Sequence, residues 1–324
     1  MASATTGIGD FLRNTWYSLG VTPTGSWEML TPSEAIKLES SAKESCLLMS
    51  RVQEDWRSQL EECKIKISNS RDLTGYLLYP DSWDRLNKSK CVVFNTRCDF
   101  TIAQQFNDNG HWTAARVAEV AECPVLLYDY AGSGLNYDVS ARDDSTSLKT
   151  SATYQSIVVD GVGALSHAFD LGFKEVINWG IALGGGVAAC ATQKYLEKHP
   201  DKWANITVVN HDSFTITPLV YLPNLGWVAD RADSSVKGSL DAATPMKKLA
   251  ERGVKILILY HEIDCVIPEQ ARMKELFWEQ TKKNLMLFCF ESCSGTSFTD
   301  DIIPAVRQRL TSLALLHFTE VHPS

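Results

Sequence analysis

Between residue 62 and the C-terminal end the chain alternates short apolar runs with segments of helical periodicity, and this alternation constrains the fold more than any other feature. The predicted strands are CKIKIS (63–68), TGYLLY (74–79), CVVFN (91–95), PVLLYDY (124–130), EVINWG (175–180), NITVVNH (205–211), KILILYH (255–261) and LMLFCF (285–290). Helical patterns fall near 110–121, 153–171, 185–198, 240–252, 268–281 and 300–318. The first two runs are close enough to form an antiparallel pair. Each later run is followed by a helix. That order favours a mostly parallel central sheet flanked by helices on both faces, an α/β fold. Functional side chains of such a sheet gather at the carboxyl ends of its strands.

Residues 1–61 read differently, as a polar N-terminal helical extension, with residues 62–324 forming the α/β domain. Thr31-Pro32-Ser33-Glu34 supplies a cap and a first-turn proline for one of its helices. Trp16, Trp27 and Trp56, with Leu47, Leu48 and Met49, are either packing residues or a surface for a protein partner.

Composition narrows the function classes. Lys and Arg number 31 against 39 Asp and Glu, a net charge of −8, which argues against nucleic-acid binding. With 44% hydrophobic and 22% charged residues the chain is neither disordered nor fibrous. Several of the nine cysteines, Cys91, Cys190 and Cys289 among them, sit in apolar runs, and no CxxC pair occurs. Reduced core thiols are expected. The first residues lack the apolar core of a signal peptide, and no transmembrane-length apolar run exists. A cytoplasmic location is the expectation, although an effector secreted by a non-classical route leaves the same signature.

The richest stretch is Glu175-Val176-Ile177-Asn178-Trp179-Gly180-Ile181-Ala182-Leu183-Gly184-Gly185-Gly186-Val187-Ala188-Ala189. A β-branched strand runs into a glycine-rich turn and then a small-residue helix, a pattern that close strand–helix packing demands. It resembles the nucleophile elbow of the α/β-hydrolase superfamily, G-x-S-x-G-G, with Ala182 in the serine position. Three other segments resemble the family in order. Tyr128–Asn136 is similar to the fourth strand end and its G-x-G turn, with Ala131 where a basic residue is usual. Tyr260–Pro268 is similar to the seventh strand end, with Asp264 in the acid position. Val92–Arg97 is similar to the third strand end that supplies part of the oxyanion hole, without its usual glycine. The G-G-G-V-A-A stretch is also similar to one in chlamydial hydrolase-like proteins of unassigned function.

The resemblance implies an oxyanion hole built from Leu183, Asn95 and Thr96, and a catalytic base after the eighth strand, where Thr296 stands instead of histidine. It also implies a short lid at 212–238, whose Leu219, Tyr221, Leu222 and Trp227 would line an acyl or lipid pocket. Alanine has no lone pair, and threonine does not titrate near neutral pH. Serine-type acyl transfer needs a nucleophile, a base and an orienting acid together.

A catalytically degenerate hydrolase-fold protein that binds a small acyl- or lipid-like ligand, or a protein, therefore fits the sequence best. One alternative is a serine esterase or lipase whose nucleophile has been replaced by Ala182. Another is an enzyme using His211 or His261 in a non-standard site; these end the sixth and seventh predicted strands, with Asp212 and Ser213 following the first and Asp264 and Cys265 the second. Those groups suit acid–base work or metal ligation, but no close H-x-x-x-H spacing is present, so no metal is expected. No cofactor is expected either, because G-x-x-x-x-G-K and G-x-G-x-x-G are both missing.

Overall fold

The structure is a computed structural model that describes residues 32–56, 58–68, 71–81, 83–97, 101–106, 112–137, 154–215, 240–264, 267, 269–277, 283–293 and 302–314. Eight strands form one sheet: β1 (Leu60–Ser68), β2 (Arg71–Leu78), β3 (Lys90–Asn95), β4 (Val125–Tyr128), β5 (Glu175–Ile181), β6 (Ile206–His211), β7 (Lys255–Ile263) and β8 (Leu285–Cys293). Their order across the sheet is β1-β2-β4-β3-β5-β6-β7-β8. The first two strands form the expected antiparallel pair, and β2 also runs antiparallel to β4. All remaining neighbours are parallel. The helices are α1 (Pro32–Asp55), α2 (Ala114–Ala121), α3 (Tyr154–Asp170), α4 (Leu183–Lys198), α5 (Ala243–Glu251) and α6 (Ile302–Ala314).

Alternation along the strands divides the core between the two faces of the sheet. Val176, Val208, Ile256 and Ile258 point to one side, where Ala164 and Leu165 of α3, Val187 and Ala191 of α4 and Met246 of α5 cover them. Ile177, Trp179, Val209, Leu257 and Leu259 point to the other, against Val117 of α2 and Val306 and Leu310 of α6. Both faces are covered, which is why the central strands are mostly apolar, Asn178 of β5 and Thr207 and Asn210 of β6 apart. The described part of α1 belongs to the second face: Met49 and Val52 are buried there, and Trp56 lies 5.4 Å from Phe106. Leu47 instead stays 69% exposed. Trp16 and Trp27 fall outside the described residues. Among the described residues no helix is long and apolar enough to cross a membrane.

Several predicted elements change in extent. The β1–β2 ladder runs from the Leu60–Leu78 pair to Ser68–Arg71, so both strands begin before the predicted 63 and 74. The strand predicted at 124–130 shrinks to Val125–Tyr128, because the next residues turn to form a network around Asp129. The helix predicted at 268–281 is not formed: the described residues there make only 3₁₀ turns, Glu269–Ala271 and Met273–Leu276. Arg272 explains the break. Its backbone is extended, with φ −71° and ψ 139°, and it forms a β-bridge with Phe214. Its guanidinium meanwhile donates to the carbonyls of Glu262, Asp264 and Ile267. A residue committed in this way cannot sit in a helical turn.

Thiols follow the sequence expectation among the described residues. Cys91, Cys123 and Cys190 are buried thiols outside any disulfide, and Cys289 is a half-buried thiol. Burial pushes the Cys190 and Cys123 thiols up to about 12, and Cys91 well above its ordinary value. Such thiols stay protonated and unreactive.

Candidate functional site

The turn between β5 and α4 carries the sequence motif. Ala182 adopts φ 51° and ψ −113°, a conformation that L residues avoid and that costs about 1–3 kcal/mol. Its neighbours hold it there. The Ala182 N–H donates to the His211 carbonyl at 2.9 Å, and the Ser213 hydroxyl donates to the Ala182 carbonyl at 2.7 Å. Two glycines make the geometry possible. A Cβ on Gly180 would lie 1.9 Å from the Gly184 oxygen, and one on Gly184 would lie 2.0 Å from the Asn95 oxygen. The helix start is thus pressed against both its own strand and the end of β3. At the apex the side chain is a methyl group, which supplies neither nucleophile nor proton.

Asn95, Thr96 and Leu183, expected to form the oxyanion hole, do meet at this helix start. Leu183 is the first residue of α4. Asn95 and Thr96 are buried beside Gly184, and the Thr96 carbonyl accepts from the Tyr130 hydroxyl at 3.2 Å. The Asn95 side chain, however, is spent on the core. Its amide donates to Asn178 Oδ1 at 2.6 Å and to the Trp179 carbonyl at 3.2 Å, while its Oδ1 accepts from Tyr128 at 2.6 Å. Both amide protons are used, so this side chain has none left to offer a ligand.

The next two strand ends bring polar chemistry together. His211 ends β6, and His261 lies near the end of β7. Asp212, at φ 42°, turns the chain back between them. Asp212 Oδ1 accepts from the His261 backbone N–H at 3.0 Å, and Oδ2 lies 2.6 Å from His261 Nδ1. The His211 ring packs edge-on to Trp112 at 5.0 Å and lies 5.7 Å from Phe290. Its Nε2 stands 3.5 Å from Asp212 Oδ2 without meeting hydrogen-bond geometry.

Electrostatics keep this group in a definite charge state. Burial among aromatic rings pushes His211 down to about 4, although the Asp212 charge works the other way, so the imidazole is neutral at physiological pH. Burial also opposes the Asp212 carboxylate. The hydrogen bond from the His261 ring and the neighbouring imidazoles outweigh that penalty and hold Asp212 below its ordinary value. An ionised Asp212 therefore accepts from Nδ1–H of His261. A cavity with about 10 Å³ for the centre of a water-sized molecule lies beside it, bordered by Asn210, Asp212, Ser213, His261, Asp264 and Arg272.

The carboxylate that holds His261 is Asp212, whereas Asp264, the expected acid, accepts from the Ile267 N–H at 2.9 Å and so shapes its own loop. Asp212 stood in the sequence only as the residue following His211; its one signal was that position, directly after a strand-end histidine. Thr296 and Cys265, and the lid residues Leu219, Tyr221, Leu222 and Trp227, lie outside the described residues.

No family model and no curated protein matches this sequence. Solved structures do resemble it. An alpha-beta hydrolase from Vibrio vulnificus superposes with a TM-score of 0.56 at 13% identity, covering 88% of this chain and 95% of its own. Dipeptidyl peptidase 4 from Porphyromonas gingivalis gives a TM-score of 0.51 at 12% identity, covering 78% of this chain and 35% of that protein. At such identities it is the fold that is shared, and strand order and structural likeness together establish that this chain has the α/β-hydrolase fold.

Proposed function

We propose that the protein is a catalytically degenerate member of this fold that acts by binding, through the carboxyl ends of β5–β7, rather than by forming an acyl-enzyme. The supporting observation is Ala182. The backbone pays the strain of an elbow at this residue, yet the apex presents a methyl group. The turn still leads into the N-terminus of α4, where the first N–H groups of a helix lack partners within it and suit anion or carbonyl recognition. A small acyl- or lipid-like ligand suits such donors.

A second reading, an esterase- or lipase-like hydrolase whose serine has been replaced, draws support from the Asp212–His261 pair, since an acid-held imidazole is what a nucleophile needs. Restoring Ala182→Ser separates the two. Turnover of p-nitrophenyl esters of several chain lengths and labelling by a fluorophosphonate probe are measured on the wild type and the variant. No gain in either is the expected result. Ester turnover together with labelling in Ala182→Ser alone would overturn the binding reading in favour of the replaced-nucleophile one.

A further inference from the structure

We propose that His211, Asp212 and His261 form a binding site for a divalent first-row transition ion such as Zn²⁺. Their donor atoms, one from each side chain, all lie within 4.8 Å of one another. The Oδ2 of Asp212 is the hub, 2.6 Å from His261 Nδ1 and 3.5 Å from His211 Nε2. Ligand bonds of about 2.0–2.2 Å at tetrahedral or octahedral angles set donors roughly 3–3.5 Å apart, so both Asp212 distances lie within about 1 Å of that range, and the two imidazole donors, within 4.8 Å of each other, need only a modest approach to hold one ion. Two imidazoles and a carboxylate are a donor set that suits zinc, iron(II), manganese or nickel rather than magnesium or calcium.

His211 is an independent pointer to a ligand. It is 99% buried by its 1% exposure, and among the described residues neither ring nitrogen has a hydrogen-bond partner. A polar group buried in that state is costly unless something supplies the missing interaction. An ion coordinated by Nε2 supplies it at that nitrogen, the one that faces Asp212. Trp112 and Phe290 fix the ring plane, so little side-chain freedom is lost on binding. The cavity bordered by Asp212 and His261 leaves room for a water-sized ligand beside the ion. On binding, the proton between Nδ1 and Oδ2 leaves Nδ1, passing to Nε2 of His261 or to solvent.

The spacing also explains why no close metal-ligand motif marks these residues in the sequence. The ligands come from two adjacent strand ends, 49 residues apart at Asp212 and His261, and not from one helix turn. The site stands independently of Ala182, because none of its donors belongs to the β5–α4 turn.

The test uses the full-length chain, stripped with chelator and then titrated with Zn²⁺ by calorimetry and with Co²⁺ by visible absorption. One saturable equivalent of Zn²⁺ is expected, with cobalt bands typical of nitrogen and oxygen ligands. Asp212→Asn and His261→Gln are each expected to weaken binding by about tenfold or more while retaining a cooperative melt. His211→Ala checks the third ligand, and the Asp212 and His261 variants carry the test if that fully buried substitution prevents folding. Absence of saturable binding in the wild type overturns the proposal. So does unchanged affinity in both the Asp212 and His261 variants, or a sulfur-to-cobalt charge-transfer band, which would place the ion on cysteine.

Discussion

Asp212 Oδ2 lies 2.6 Å from His261 Nδ1, and through this contact the end of β6 is tied to the end of β7. The same carboxylate also accepts from the His261 backbone. Asp212→Asn keeps the shape and tolerates the positive φ, so it isolates the charge. We expect it to destabilise the protein by about 1–3 kcal/mol, read from the midpoint of urea unfolding. An unaltered midpoint would show that the pair gains nothing over its cost of desolvation.

Gly184 faces the Asn95 carbonyl so closely that an added Cβ would lie 2.0 Å from that oxygen. The obstacle is backbone in the middle of the sheet, so it cannot rotate away. Gly184→Ala is expected to cost about 3 kcal/mol or more, lowering the yield of folded protein and the thermal midpoint. A mild effect would mean that α4 can slide outward from β3.

Ala182 offers the opposite case. Its φ of 51° and ψ of −113° strain any residue with a Cβ. Glycine removes that strain at the cost of greater freedom in the unfolded chain. Ala182→Gly is therefore expected to be neutral or to stabilise by about 1 kcal/mol, in contrast with glycine substitutions elsewhere in helices and strands. Loss of stability in this variant would place the turn in a relaxed rather than strained conformation.

Asp129 gives a pH signature. It is buried, accepts from the backbone N–H groups of Ile102 and Leu135, and is pushed by burial up to about 6 against those bonds. A carboxyl whose folded value is raised binds its proton more tightly in the native state. Its contribution to stability is complete below the unfolded value of 3.8 and is lost as pH rises through about 6. The stability of wild type relative to Asp129→Asn should therefore improve as pH falls from 7 to about 4. Urea titrations of both proteins across that range test the slope, and parallel curves would contradict it.

Much of the fold was legible because it rests on short-range pattern. Runs such as Cys91–Phe94 and Ile256–Leu259 are apolar at every step, as a strand covered on both faces requires, and the helices between them set the parallel order. The glycines at 180 and 184 announced a close strand–helix approach, and the structure shows what they approach. Prediction failed at Arg272, where helical periodicity lost to a β-bridge with Phe214 and to three carbonyls gathered by one guanidinium. Those partners are set by tertiary position and leave no periodic trace.

The candidate site divides in the same way. Sequence alone placed a methyl side chain at the apex of the β5–α4 turn and histidines at two strand ends, because each statement concerns the order of residues within one strand and its turn. It put Asp264 in the acid position because Tyr260–Pro268 resembles a strand end of the hydrolase family, and showed Asp212 only as the residue after His211. Only the tertiary structure decided that Asp212 holds His261. Parallel pairing sets His211 opposite Leu259, and the positive φ of Asp212 then turns its carboxylate toward the next strand. Strand register and a single backbone angle, both fixed by the packed sheet, chose the partner.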